Sequence, residues 1–368
     1  MAEVPPAGRN LRPRLTAGKE KKMKNTLSFL MSGYAKAGDP GILSAALDTE
    51  NGKLAFLPAC TELENPSWIL MHPNGKILYA VEELVPDGRV AVLQRDETPG
   101  RENMWKPVRR LPAGSSPCHL SLTDDASFLL ISNYMDGTLH VWKLDGQGMP
   151  ETRTAEIRHS GKGPNPDRQE GPHIHAALYL GGTVYVTDLG LDRVVGYRLD
   201  KANGTLHREK EFVFPAGSGP RHMAVHEKHP GLMYVDTEMG GTVCTVRISD
   251  GAILQERRVI PEDFGALFRV SSIRFAGDVL YVGSRECNMV TLFPLREDGT
   301  LGEAARFPHA QETPRDVWMN DSWCITADEG SCALTLIRRE GQTLRQADVV
   351  RTPNVHPTCI LPLAESEA

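Results

Sequence analysis

The residues best equipped for chemistry fall in short polar signatures that recur along the chain. Pro172-His173-Ile174-His175 is followed by Asp188, and Gly219-Pro220-Arg221-His222 by Glu238. Ser116-Pro117-Cys118-His119 precedes Asn133, while Ser284-Arg285 and Pro314-Arg315 add two further guanidinium groups. Guanidinium groups facing carboxylates and imidazoles in one cleft can bind an anionic substrate and move protons. His173 and His175 stand two apart, so on a strand they share a face and, with Asp188, could ligate a metal. Neither a G-x-S-x-G elbow nor a P-loop occurs, and His226-Glu227-Lys228-His229 misses the zincin spacing by one residue. A serine-nucleophile mechanism is disfavoured on that ground.

Residues so widely separated need a scaffold that gathers them. Seven hairpin-forming segments align, opening at Phe29, Leu78, Leu129, Val184, Met233, Leu280 and Cys324. Their spacings of 49, 51, 55, 49, 47 and 44 residues match a four-stranded propeller blade. Turns rich in left-handed backbone recur at Asn51-Gly52, Asp145-Gly146, Asn203-Gly204, Asp250-Gly251 and Asp298-Gly299. Each polar signature opens the strand ahead of one hairpin. The last signature, His356-Pro357-Thr358-Cys359, has no hairpin after it, and the first hairpin has no signature before it. The expected fold is therefore all-β, a seven-bladed β-propeller of four-stranded blades over residues 25–364, closed by pairing the C-terminal strand into the N-terminal blade.

In such a ring the signature strand is innermost and antiparallel to its successor. Signature starts and the ends of the following strands then meet at one mouth of the central channel. Burying Arg or His among crowded inner strands is costly unless each is paired or lines a wet cleft. His119, Asn133, His175, Asp188, His222 and Arg315 are expected to contact substrate there, beside His173, Arg221, Glu238 and Arg285.

With 368 residues the chain can bury a large core without disulfides, and its seven scattered cysteines lack a C-x-x-C pair. They read as strand residues of a reducing, cytoplasmic protein. A net charge of -6 with both signs interspersed leaves no basic stripe for nucleic acid. No apolar run approaches the roughly 20 residues that span a bilayer. Residues 1–24, with Pro5, Pro6, Pro13 and a lysine cluster, read as a disordered extension, and Met23 as an alternative translation start.

At the signatures quoted above the chain resembles the seven-bladed propeller lactonases, which include bacterial 6-phosphogluconolactonases of propeller type and fungal carboxymuconate lactonizing enzymes. The resemblance spans about residues 26–362. It implies a catalytic set of His173, Arg221, Glu238 and Arg285, with Arg315 as the alternative for the last, and a site without metal or cofactor. On this reading His173 and Glu238 divide the roles of base and acid, and the arginines hold the oxyanion and an anionic group. The implied substrate is a small anionic lactone or sugar acid, the implied reaction 6-phosphogluconolactone hydrolysis in the pentose phosphate pathway, and the implied state a monomer or weak homo-oligomer. A lactone-forming cycloisomerase and a non-catalytic propeller binding a protein partner are the competing readings.

Overall fold

The computed structural model describes residues 25–363 apart from 102 and 266–268. The expectations for residues 1–24 and for a start at Met23 fall outside the described residues. Among those described, 28 strands form seven four-stranded antiparallel sheets, and no helix occurs. The second strand of each blade is the most deeply buried, at every position in Ile77–Glu82, Phe128–Asn133 and Trp323–Asp328, which explains its near-continuous apolar run. Outermost strands such as Pro150–Arg158 and Thr205–Val213 carry the charges and are largely exposed.

Six blades are continuous in sequence. The first consists of Thr26–Tyr34, Ile42–Asp48 and Lys53–Cys60, and takes its innermost strand, His356–Pro362, from the far end of the chain. The expected closure is thus observed, with Phe29 opposite Pro362 and Tyr34 opposite His356. The register shifts between Ser32 and Gly33, where a Cβ on Gly33 would collide with the backbone of His356 and Pro357. Only glycine permits that approach.

Of the predicted turn glycines, Gly52, Gly204, Gly251 and Gly299 have positive φ. The turn after Asp145 differs. There Gly148 is the left-handed residue, because the Asp145 carboxylate accepts the amides of Gln147 and Met149 and widens the turn.

The apolar interior is divided into seven clusters, one wedged between each pair of neighbouring blades. The closing strand serves two of them, sending Ile360 toward Phe29 and Trp323 of one wedge and Cys359 toward Leu30 and Leu78 of the other. The remaining innermost strands, Ile69–Met71, Pro117–Leu122, Ile174–Leu180, Pro220–Ala224, Val270–Ala276 and Pro314–Met319, complete the channel wall. Truncation after Val355 is expected to open both wedges, lower Tm by roughly 10 °C or more and expose the edge of Thr26–Tyr34 to self-association. Thermal melting with size-exclusion chromatography tests this, and an unchanged Tm would refute the role given to closure.

Candidate active site

One backbone hydrogen bond, repeated from blade to blade, builds the rim of the channel. The amides of Glu83, Tyr134, Leu189, Glu238, Arg285 and Glu329 donate to the carbonyls of Asn65, Ser116, His173, Gly219, Arg269 and Thr313 at 2.7–3.1 Å. Tyr34 takes the same place in the first blade. Four of the accepting corners, Asn65, Ser116, Gly219 and Thr313, have positive φ and precede a proline, which in the last three starts the inner strand. For the three that are not glycine this conformation costs on the order of 1 kcal/mol each.

Beneath the rim, Ser67, Cys118, His175, Arg221, Arg315 and Thr358 surround a cavity of about 10 Å³, room for a single water. The rings of Trp68, His119 and His222, with centroids 4.6–5.5 Å apart, close the channel below it. Toward the opposite end the channel widens into a cavity of about 350 Å³ lined by mixed apolar side chains of the inner strands together with the Arg274–Asp316 ion pair.

Glu238 is the electrostatic centre of the mouth. Its carboxylate is 2% exposed and meets Arg221 at 2.9 Å, Arg285 at 2.6 Å and Arg168 at 2.6 Å. Burial alone would raise its pKa, but Arg285, then Arg221 and Arg168, overcome it and hold the carboxyl far below its usual range. Burial in turn draws the Arg285 guanidinium down to about 10 against the pull of Glu238. Three guanidiniums on one carboxylate leave this side of the mouth with a positive excess.

Across the mouth a second network has the opposite balance. Arg315 bonds Glu329 at 3.0 Å and the Tyr34 hydroxyl at 2.9 Å. That hydroxyl donates to Glu83, which also accepts from Ser116 and Ser67. Arg315 is therefore committed to a different carboxylate from the other arginines.

His173 is buried and stacks on Tyr134 with centroids 4.3 Å apart. Its Nδ1 lies 3.0 Å from the Tyr134 carbonyl oxygen, an acceptor only, so this nitrogen carries the proton. Nε2 lies 3.1 Å from Glu170, whose side chain is half exposed at the mouth. The Glu170 pKa is lowered: burial, which raises it, is outweighed by its own backbone amide and by His173. The Tyr134 hydroxyl receives Arg168 at 3.2 Å, linking the imidazole to the Glu238 cluster.

The structure sorts the expected residues into three groups. His173, Arg221, Glu238 and Arg285 converge at one side of the mouth, with Arg315 facing them from the other. His175, His119 and His222 lie deeper as neutral imidazoles: burial and then Arg221 lower all three, His119 to about 3. Asn133 and Asp188 are corrections to the expected substrate contacts, since both are wholly buried. Asn133 is consumed by the Gly114 amide and Thr138. Asp188 accepts the amides of His173 and Leu191 and bonds His159 at 2.6 Å, so it positions His173 instead of meeting substrate. Of the two roles expected for Glu238, that of acid is corrected, because a carboxylate held ionised by three guanidiniums has no proton to donate near neutrality. His173 and His175 flank Tyr134 on different sides, and among the described residues no three His, Cys, Asp or Glu side chains gather as a metal set.

Arg168, Glu170 and Tyr134 did not emerge from the signatures. The first two lie in the connection of residues 159–173, which has no strand pattern; its only mark was the longest repeat spacing, 55 residues. Buried Gln169 anchors this strap to the Leu189 carbonyl and to Asp192, and Asp192 also accepts the amides of Gly217 and Gly219 ahead of Arg221. Gly190 lets the strap's end pass, since a Cβ there would overlap the Gly171 carbonyl. Tyr134 was visible as the sixth residue of its hairpin, the place Glu238 and Arg285 occupy in theirs.

The model of the family described as "Lactonase, 7-bladed beta-propeller" matches residues 28–362. The chain belongs to this family. A Bacillus subtilis (strain 168) relative described as 6-phosphogluconolactonase is 32% identical over 339 residues, 89% of this chain and 95% of that protein. The crystal structure of a Lactobacillus plantarum protein has a TM-score of 0.83 at 25% identity and covers 92% of this chain and 100% of that one. The Pseudomonas aeruginosa periplasmic gluconolactonase PpgL shares the fold, with a TM-score of 0.83 at 21% identity over 92% of this chain and 99% of that one. The family match spans the whole ring, so the rim and both arginine networks lie inside it.

Asp236 is wholly buried near this mouth, with one oxygen accepting the His222 amide at 2.5 Å and the other without a partner. Burial raises its pKa to about 7 against the pull of Arg221. The unfolded carboxyl ionises near pH 4, so between about pH 4 and 7 the unfolded state releases a proton the folded state keeps. Wild-type stability should therefore fall relative to Asp236→Asn as pH rises through that window. Denaturant unfolding of both proteins across the range measures the gap, and a gap independent of pH would contradict the assignment.

Proposed function

We propose that this chain hydrolyses a small lactone bearing an anionic group, of the 6-phosphogluconolactone kind, at the Glu238 mouth. The observation that carries the reading is the positive excess around a fully ionised, buried Glu238, set one aromatic ring away from the His173–Glu170 pair. The B. subtilis relative's name supports the same substrate class.

Lactone opening requires an activated water, stabilisation of the tetrahedral oxyanion and a proton for the leaving ring oxygen. His173 is fixed through Nδ1, which leaves Nε2 and Glu170 as the proton-exchanging pair at the mouth. The pair takes a proton from water as it attacks the carbonyl, and returns one to the ring oxygen as the acyl bond breaks. The oxyanion forms in the field of Arg221 and Arg285, which is strong because these groups are withdrawn from solvent. Glu238 takes no proton. Its part is to hold the arginines in place.

A reducing, cytoplasmic setting completes the reading, supported by seven unpaired cysteines, five of them buried. No helix among the described residues is long and apolar enough to cross a membrane.

This division of roles separates two variants. Glu170→Gln should lower kcat/KM for 6-phosphogluconolactone by roughly a hundredfold while shifting stability by less than about 1 kcal/mol. Glu238→Gln, which leaves three guanidiniums without their carboxylate, should cost about 3–5 kcal/mol of stability as well as activity. Rates above the spontaneous background, read with unfolding curves, decide it. Full activity in Glu170→Gln would remove the proposed proton-exchanging pair.

A further inference from the structure

Of the three guanidiniums on Glu238, Arg221 and Arg285 have side chains 4% exposed, whereas that of Arg168 is 30% exposed. Arg168 is also the one carried by the strap, whereas Arg221 lies on Pro220–Ala224 and Arg285 directly follows Val279–Ser284. The strap is a preformed base for it. Asn165 accepts the amides of Asp167 and Arg168 through its side chain, and its carbonyl accepts the amide of Gln169, whose side chain is buried against Leu189 and Asp192. A guanidinium projecting from such a turn is oriented before any ligand arrives, which limits the ordering cost of binding.

The charge balance says what it is oriented for. One carboxylate is already outweighed by the two buried arginines, so the charge of Arg168 is not needed to neutralise Glu238. Its bonds to Glu238 Oε1 and the Tyr134 hydroxyl leave a fork of five N–H donors only partly used. Two residues further on, Glu170 reaches His173. The strap thus sets a solvent-facing cation and a carboxylate on either side of the ring pair Tyr134–His173.

We propose that Arg168 is the specificity-determining residue of this site, receiving the phosphate or carboxylate of the substrate at a point remote from the lactone carbonyl. The strap then selects anionic over neutral lactones, while the His173–Glu170 pair attends to the carbonyl. This inference rests on the lactone-hydrolase reading for its kinetic form, but it makes a binding claim that stands apart from turnover.

The test compares wild type, Arg168→Gln and Arg168→Lys in two measurements. In the first, kcat/KM is measured for 6-phosphogluconolactone and for unphosphorylated gluconolactone. Arg168→Gln should lose roughly 10- to 100-fold more on the phosphorylated lactone than on the neutral one, the range of a charge-assisted bond, with partial recovery in Arg168→Lys. In the second, titration calorimetry follows binding of 6-phosphogluconate and gluconate. Wild type should prefer the phosphorylated acid, and Arg168→Gln should lose that preference. Equal losses on both lactones, or a preference for 6-phosphogluconate surviving in Arg168→Gln, would overturn the assignment. If wild type hydrolyses neither lactone, the functional reading fails and calorimetry alone decides the role of Arg168: a preference lost in Arg168→Gln upholds it, and a preference kept, or absent from wild type, rejects it.

Discussion

The ring closes through the innermost strand that the first blade borrows from the other end of the chain. Without His356–Pro362, the wedges holding Phe29 and Trp323 on one side and Leu30 and Leu78 on the other would each lose a wall. The same strand brings Thr358 to the channel, where its hydroxyl donates to the Ser67 carbonyl at 2.7 Å. Closure therefore couples stability to the site. A channel whose wall is shared among seven inner strands can be no more ordered than its weakest seam.

Convergence at the channel imposes a second constraint. Inner strands crowd one another, so polar side chains there lose water whether or not they act on a substrate, and each must find a counter-charge or become neutral. Glu238 finds three guanidiniums, and Arg315 finds Glu329 and the Tyr34–Glu83 pair. His119, His175 and His222 shed their protons because they are buried, and because Arg221 adds a positive charge beside them. These three imidazoles thereby become framework. Arg168 and Glu170 keep contact with water.

A repeated backbone makes this division easy to reach. The same amide-to-carbonyl bond sets one residue at the rim in blade after blade, so the backbone there is common while the side chain differs. The connection between the third and fourth blades adds what the repeat does not supply. Its residues 159–173 leave the ring's geometry and cross above the mouth, tied down by Gln169 and Asp192.

The sequence alone determined the seven blades, their four strands and the offset closure, because period, turn chemistry and strand alternation are local properties repeated often enough to be recognised. It also pointed to Arg221, Glu238 and Arg285 through the meeting of signature starts and strand ends, but the same rule pointed to Asn133 and Asp188, which are buried within their blades. Only the tertiary structure decided what each does there. Asp188 and Glu238 occupy neighbouring places on equivalent hairpins, yet one turns into the blade to hold His173 and the other into the channel to meet three arginines. Nor could spacing reveal Arg168 or Glu170, which reach the site from an irregular strap. A carboxylate's role depends on which charges face it and how much water remains, and both are set by contacts between blades far apart in the chain.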